Sequence, residues 1–69
     1  MSKNLIPAQR RKLIQEYLST RMIASIADLS SVIDTSEATI RRDLEWLENE
    51  GYLERTHGGA VLNQRYNLE

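Results

Sequence analysis

Residues 35–44 read TSEATIRRDL, and the way this stretch folds decides the rest of the chain. Ser36 is suited to cap a helix, because its hydroxyl can accept from the backbone N–H of Ala38 or Thr39. Glu37 then falls in the first turn, where the helix dipole favours an acid. Ile40, Leu44 and Leu47 recur at helical spacing and make a buried stripe, and Gly51 suits the left-handed residue that ends such a helix. The stretch therefore predicts a helix from Ser36 to about Glu50. It also raises a question of charge. Arg41 and Arg42 stand side by side in its first half, in a chain with nine Lys+Arg against ten Asp+Glu.

Working upstream, Asp34-Thr35-Ser36 carries turn and cap chemistry. It limits the preceding helix to about eight residues. That helix is opened by Ser25, which starts an S-x-x-D capping signature with Asp28. Ile26, Leu29 and Ile33 lie on one side of it, with Val32 at the edge. Ile23 is placed to begin a short strand. Before it, Pro7 suits a first helical position, and Leu13, Ile14, Tyr17 and Leu18 form a stripe on a helix running to about Ser19. Arg10, Arg11 and Lys12 are placed on or beside its outer face, as a solvated basic face, with a phosphate contact from one of them as the second possibility. Residues 1–6 are expected to be loose.

Downstream of Gly51, "YLERT" and "AVL" are strand-like runs separated by His57-Gly58-Gly59, whose glycines are expected to supply the positive φ of a tight hairpin. Residues 63–69 are polar and read as the start of a linker. The fold class expected over residues 7–62 is mainly α with a small β-hairpin: three helices plus a wing, a winged helix-turn-helix.

Size and composition exclude much else. Sixty-nine residues allow one small domain. With no cysteine and one histidine, disulfides and thiolate metal sites are ruled out, and no metal or other cofactor is expected. No apolar run approaches the ~20 residues that span a bilayer, so no membrane association is expected, and the absence of an export signal fits a cytoplasmic protein. No paired acids or nucleophile–base pair suggests catalysis, so an enzyme is not expected. The near-neutral balance means that any nucleic-acid binding must come from locally arranged charge.

A short helix, a tight turn and a longer helix with a polar outer face make a helix-turn-helix, whose second helix lays its N-terminal half in the major groove of DNA. The charge order along residues 36–50 has that asymmetry: hydroxyls, Ala38 and the arginines come first, then Asp43, Glu45, Glu48 and Glu50. Taking Ile40 as the buried centre, a rotation of about 100° per residue places Ala38, Arg42, Glu45 and Asn49 outward. Arg42 is therefore expected to reach base edges, its fork matching guanine O6 and N7. Arg41, with Glu37 and Glu45 one turn either side, is expected at a phosphate. Glu37 suits a cytosine amino group or, equally, the dipole role alone. Ala38 permits close approach to a thymine methyl, and Ser36 and Thr39 suit phosphate oxygens. In the hairpin, Arg55 and His57 flank a Gly58-Gly59 tip that can approach the backbone. The alternative is a hairpin that only covers the core with Leu53 and Val61. Trp46, on the flank of the helix, is expected to be a partly buried packing residue.

These residues also carry a family likeness. "TSEATIRRDLEWLENEGYLERTHGGAV", residues 35–61, closely resembles the DNA-binding signature of the DeoR-type bacterial transcriptional regulators, with T-I-R-R-D-L followed by a wing ending in H-G-G-A. The match covers about Arg10 to Leu62. The resemblance implies a helix-turn-helix over roughly Ile23 to Arg42, with Ser36, Thr39, Arg41 and Arg42 at recognition positions. It implies a repressor of a carbohydrate-utilisation operon whose larger C-terminal domain binds a phosphorylated sugar and oligomerises. The present chain is then a DNA-binding portion, expected to be monomeric by itself. The competing class is a winged-helix module that binds protein and not DNA.

Overall fold

A computed structural model of the chain describes residues 5–63. Helix α1 spans Pro7–Arg21, strand β1 Ile23–Ser25, helix α2 Ile26–Ile33, helix α3 Glu37–Asn49, strand β2 Leu53–Thr56 and strand β3 Gly59–Leu62. The three-stranded antiparallel sheet has the order β1-β3-β2, with Ala24 opposite Ala60 and Leu53 opposite Leu62. The architecture is a winged helix-turn-helix: three helices and a small sheet around one core.

The local signals behave as their chemistry requires. Pro7 begins α1, and the Ile6 backbone N–H donates to Gln9 Oε1 at 3.2 Å. Ser25 caps α2 by accepting the Asp28 N–H at 2.9 Å, and Ser36 caps α3 by accepting the Thr39 N–H at 3.1 Å. Asp34 takes a left-handed conformation (φ 66°) to end α2, and Gly51 (φ 83°) follows α3. Helix α1 runs further than expected, to Arg21, and ends in Met22 at φ 73°.

The core is built from Ile14 and Leu18 of α1, Leu29 and Ile33 of α2, and Ile40, Leu44 and Leu47 of α3. The sheet adds Ala24, Leu53, Ala60 and Leu62. Four expectations are corrected here. Leu13 is 40% exposed, because the inner line of α1 is centred on Ile14 and Leu18 and leaves Leu13 well to one side. Val61 is not a core residue: it pairs with Glu54 and Ile23 on the other face of the sheet, and Ala60 and Leu62 turn inward instead. Leu5 is not loose but packs on the core, and its carbonyl accepts from Arg10 Nη1 at 2.9 Å.

The fourth concerns the hairpin glycines. Only Gly58 has a positive φ, at 85°. Gly59 begins β3, paired to both Thr56 and Ser25, and is buried. A Cβ there would overlap the Ala24 carbonyl oxygen. Its missing side chain serves the close approach of β1, so the tip consists of His57 and Gly58. The Gly58 carbonyl accepts the Ile26 N–H at 2.8 Å, which ties the tip to the start of α2. The expected linker lies, beyond Asn63, outside the described residues.

Candidate nucleic-acid interface

The start of α3 presents hydroxyl, carboxylate and guanidinium groups. The Ser36 hydroxyl accepts the Thr39 N–H and also donates to Thr39 Oγ at 2.9 Å, so both side chains are engaged in the cap. The first-turn N–H groups of Glu37 and Ala38 have no intrahelical acceptor. Glu37 and Ala38 are exposed, and Arg41 lies 3.5 Å from Glu37 as a half-exposed surface pair. A pair of that exposure is readily broken by a competing anion. Arg42 is exposed and makes no hydrogen bond or ion pair among the described residues.

On one flank of α3 an open groove of about 520 Å³ separates the helix from the hairpin. Arg41, Leu44 and Glu48 line it on one side, and Arg55, His57 and Gly58 on the other. The fold thus brings Arg41 to a common groove with Arg55, His57 and Gly58, whereas Ser36, Glu37, Ala38, Thr39 and Arg42 do not line it and Gly59 is buried. Arg55 is held across this groove: its Nε–H donates to Glu48 Oε1 at 2.9 Å and its backbone N–H to Glu48 Oε2 at 3.0 Å. These two bonds, the backbone one first, lower the pKa of the Glu48 carboxyl from its ordinary value. His57 stands exposed at the tip.

The DeoR-like helix-turn-helix domain matches residues 10–66, most of the chain. The chain belongs to this family. Among curated relatives, it is 47% identical over 57 residues to the HTH-type transcriptional regulator GlpR of Haloferax volcanii, covering 83% of the chain and 22% of that protein. It is 46% identical over 59 residues to the L-fucose operon activator of Haemophilus influenzae, covering 86% of the chain and 24% of the relative. To the putative galactitol utilization operon repressor of Escherichia coli it is 42% identical over 61 residues, covering 88% and 54%. The chain thus spans about a quarter of the length of the first two of these relatives. No solved structure matches it. Membership makes this a DNA-binding domain of the transcription-regulator type and weighs against a winged-helix module that binds only protein.

In this DeoR-like domain two functional placements were missed in the sequence. Asp43 is only 4% exposed and is held bidentately by Arg10, with Nε to Oδ2 at 2.7 Å and Nη2 to Oδ1 at 3.2 Å. The Asp43 bond raises the Arg10 pKa above its already high ordinary value. Arg10 is therefore not part of a solvated basic face. It locks α1 to α3 and fixes the rotation of the helix that turns Arg42 outward. The signal was present: Arg10 lies one turn before Ile14, and Asp43 lies between Ile40 and Leu47, both on inner lines. The second is the partner of Trp46: the ring is 47% exposed, in keeping with a partly buried packing residue, but what it packs against is the Arg11 guanidinium. Among the described residues no helix is long and apolar enough to cross a membrane.

Proposed function

We propose that this domain docks on one half-site of duplex DNA, with the first half of α3 in the major groove and the hairpin tip against the backbone. The observation that carries this is Arg42: an outward guanidinium, unpaired among the described residues, beside a residue, Asp43, whose burial fixes the direction of the helix. Arg42 reads base edges, most simply a guanine. Arg41 exchanges Glu37 for a phosphate, and the N–H groups at the helix start, with Ser36 and Thr39 beside them, meet another. Glu37 and Ala38 face the floor of the groove. Arg55, His57 and Gly58 approach the backbone from the hairpin, with Gly59 setting the hairpin's position.

The longer protein of which this domain is typical regulates a carbohydrate-utilisation operon, by repression, and responds to a phosphorylated sugar held outside this domain. The names of the fucose and galactitol relatives support the class of operon, and that of the galactitol relative, a putative repressor, supports repression, whereas the fucose relative is an activator. The domain itself needs no cofactor, catalyses nothing, acts in the cytoplasm and is monomeric alone.

The test is a set of short duplexes varied one base pair at a time. Arg42→Ala is expected to lose about 1–3 kcal/mol on the preferred sequence and to relax the preference at one position. An equal loss on every sequence would place Arg42 on phosphate and overturn the base-reading role.

A further inference from the structure

Among the described arginines, Arg10, Arg41 and Arg55 are each joined to a carboxylate, of Asp43, Glu37 and Glu48 respectively. Arg11 is held differently. Its guanidinium carbon lies 3.8 Å from the centroid of the Trp46 ring, and its Nε–H donates to the Pro7 carbonyl oxygen at 3.2 Å. Its terminal N–H groups have no partner among the described residues. A carboxylate would orient a guanidinium and cancel its charge together. An aromatic face orients it and leaves the charge in place. Arg11 thus offers a fixed donor edge with its full positive charge.

Trp46 does little else. It is 47% exposed and is not among the residues packed against the core. Its position is what gives the stack meaning. Trp46 lies one turn beyond Arg42 on α3, on the flank facing α1, whereas the groove shared with the hairpin lies on the flank of Arg41 and Glu48. The hairpin tip and the Arg11–Trp46 stack therefore stand on opposite sides of the outward face of α3.

We propose that Arg11, held on Trp46, is a phosphate site, gripping the DNA backbone on the side of α3 away from the hairpin. Its two terminal N–H groups suit the paired oxygens of a phosphodiester. This rests on the proposed docking of α3 and adds a contact to it.

The experiment is binding of the chain to a short labelled duplex of mixed sequence, measured against potassium chloride concentration. Arg11→Ala is expected to weaken binding evenly across sequences and to reduce the slope of log affinity against log salt by about one. Arg11→Lys keeps the slope, because the charge remains. Arg21→Ala, which removes a similar stack on Tyr17 at the far end of α1, also leaves it unchanged. An Arg11→Ala slope equal to the wild type overturns the proposal while leaving the docking of α3 intact, and so does an equal fall in Arg21→Ala. Absence of wild-type binding at low salt would instead remove the docking itself. The unaltered chain gives a second reading through Trp46, its one tryptophan. Its emission is expected to change as duplex is added and to recover with salt, and unchanged emission on a bound complex contradicts the assignment.

Discussion

Helix α3 is tied at two points by an arginine and a carboxylate, and the two ties differ in almost everything but their chemistry. Toward α1, the side chains of Arg10 and Asp43 are 17% and 6% exposed and make two parallel bonds at 2.7 and 3.2 Å. Toward the hairpin, Arg55 and Glu48 are 45% and 34% exposed. The first pair leaves water behind, so each partner depends on the other. The second stays in contact with water and is screened by salt. Burial, more than bond length, decides which tie is structural. The α1 side therefore fixes the direction of α3, while the hairpin side keeps an adjustable latch along the groove between α3 and the hairpin.

The comparison breaks most visibly at Asp43. Asp43→Ala leaves the Arg10 guanidinium mostly buried without its counter-charge, and is expected to lose about 3 kcal/mol in urea unfolding. For so small a domain that is a large share of a total stability of about 5–15 kcal/mol. A loss below about 1 kcal/mol would show that Arg10 escapes to solvent, as exposed pairs do.

The next effect separates the hairpin's two glycines. The latch is not what seats the hairpin; the close pairing of Gly59 with β1 is. Gly59→Ala pushes β3 from Ala24 and should cost about 2 kcal/mol in thermal unfolding. Gly58→Ala meets open space and only the strain of a positive φ, for about 1 kcal/mol. The reverse order would mean that the tip, not the strand, governs the seating.

The smallest effect sharpens the latch itself. The Glu48 pKa is lowered in the folded state, so its bonds to Arg55 contribute at pH above the ordinary carboxylate value and are lost as pH falls through the lowered one. Arg55→Ala keeps the backbone N–H, the larger cause of the shift, and removes only the guanidinium. The Glu48 carboxyl resonance is thus expected to titrate below its ordinary value in the wild type and to return only part of the way in Arg55→Ala. Full return would assign the latch to the side chain alone.

The same contrast explains what could be read in the sequence. The cap at Ser36, the eight residues of α2, the stop at Gly51 and the stripe of Ile40, Leu44 and Leu47 are decided within a few residues of themselves, so local chemistry suffices. Arg42 was placed outward by rotation about the same helix. The Arg10–Asp43 lock joins positions 33 apart. Its ends lay on the inner lines of two helices, but a charge in such a place reads as a surface residue until its partner is seen. The pairing of β1 with β3 is equally non-local, and without it Gly59 looks like a second turn glycine. Trp46 could be read as a partly buried packing residue on the flank of its helix, and only the approach of α1 shows that Arg11 is what covers it.

The most direct test of the DNA-facing surface is an amide chemical-shift titration of the chain with a short duplex at low and then moderate salt. Shifts gathered at residues 36–42, at the start of α2 and at His57 and Gly58, fading as salt rises, are the predicted result. A folded chain whose amides do not move at low salt, or move only on the far face of α1 around Leu13 and Glu16, would contradict it.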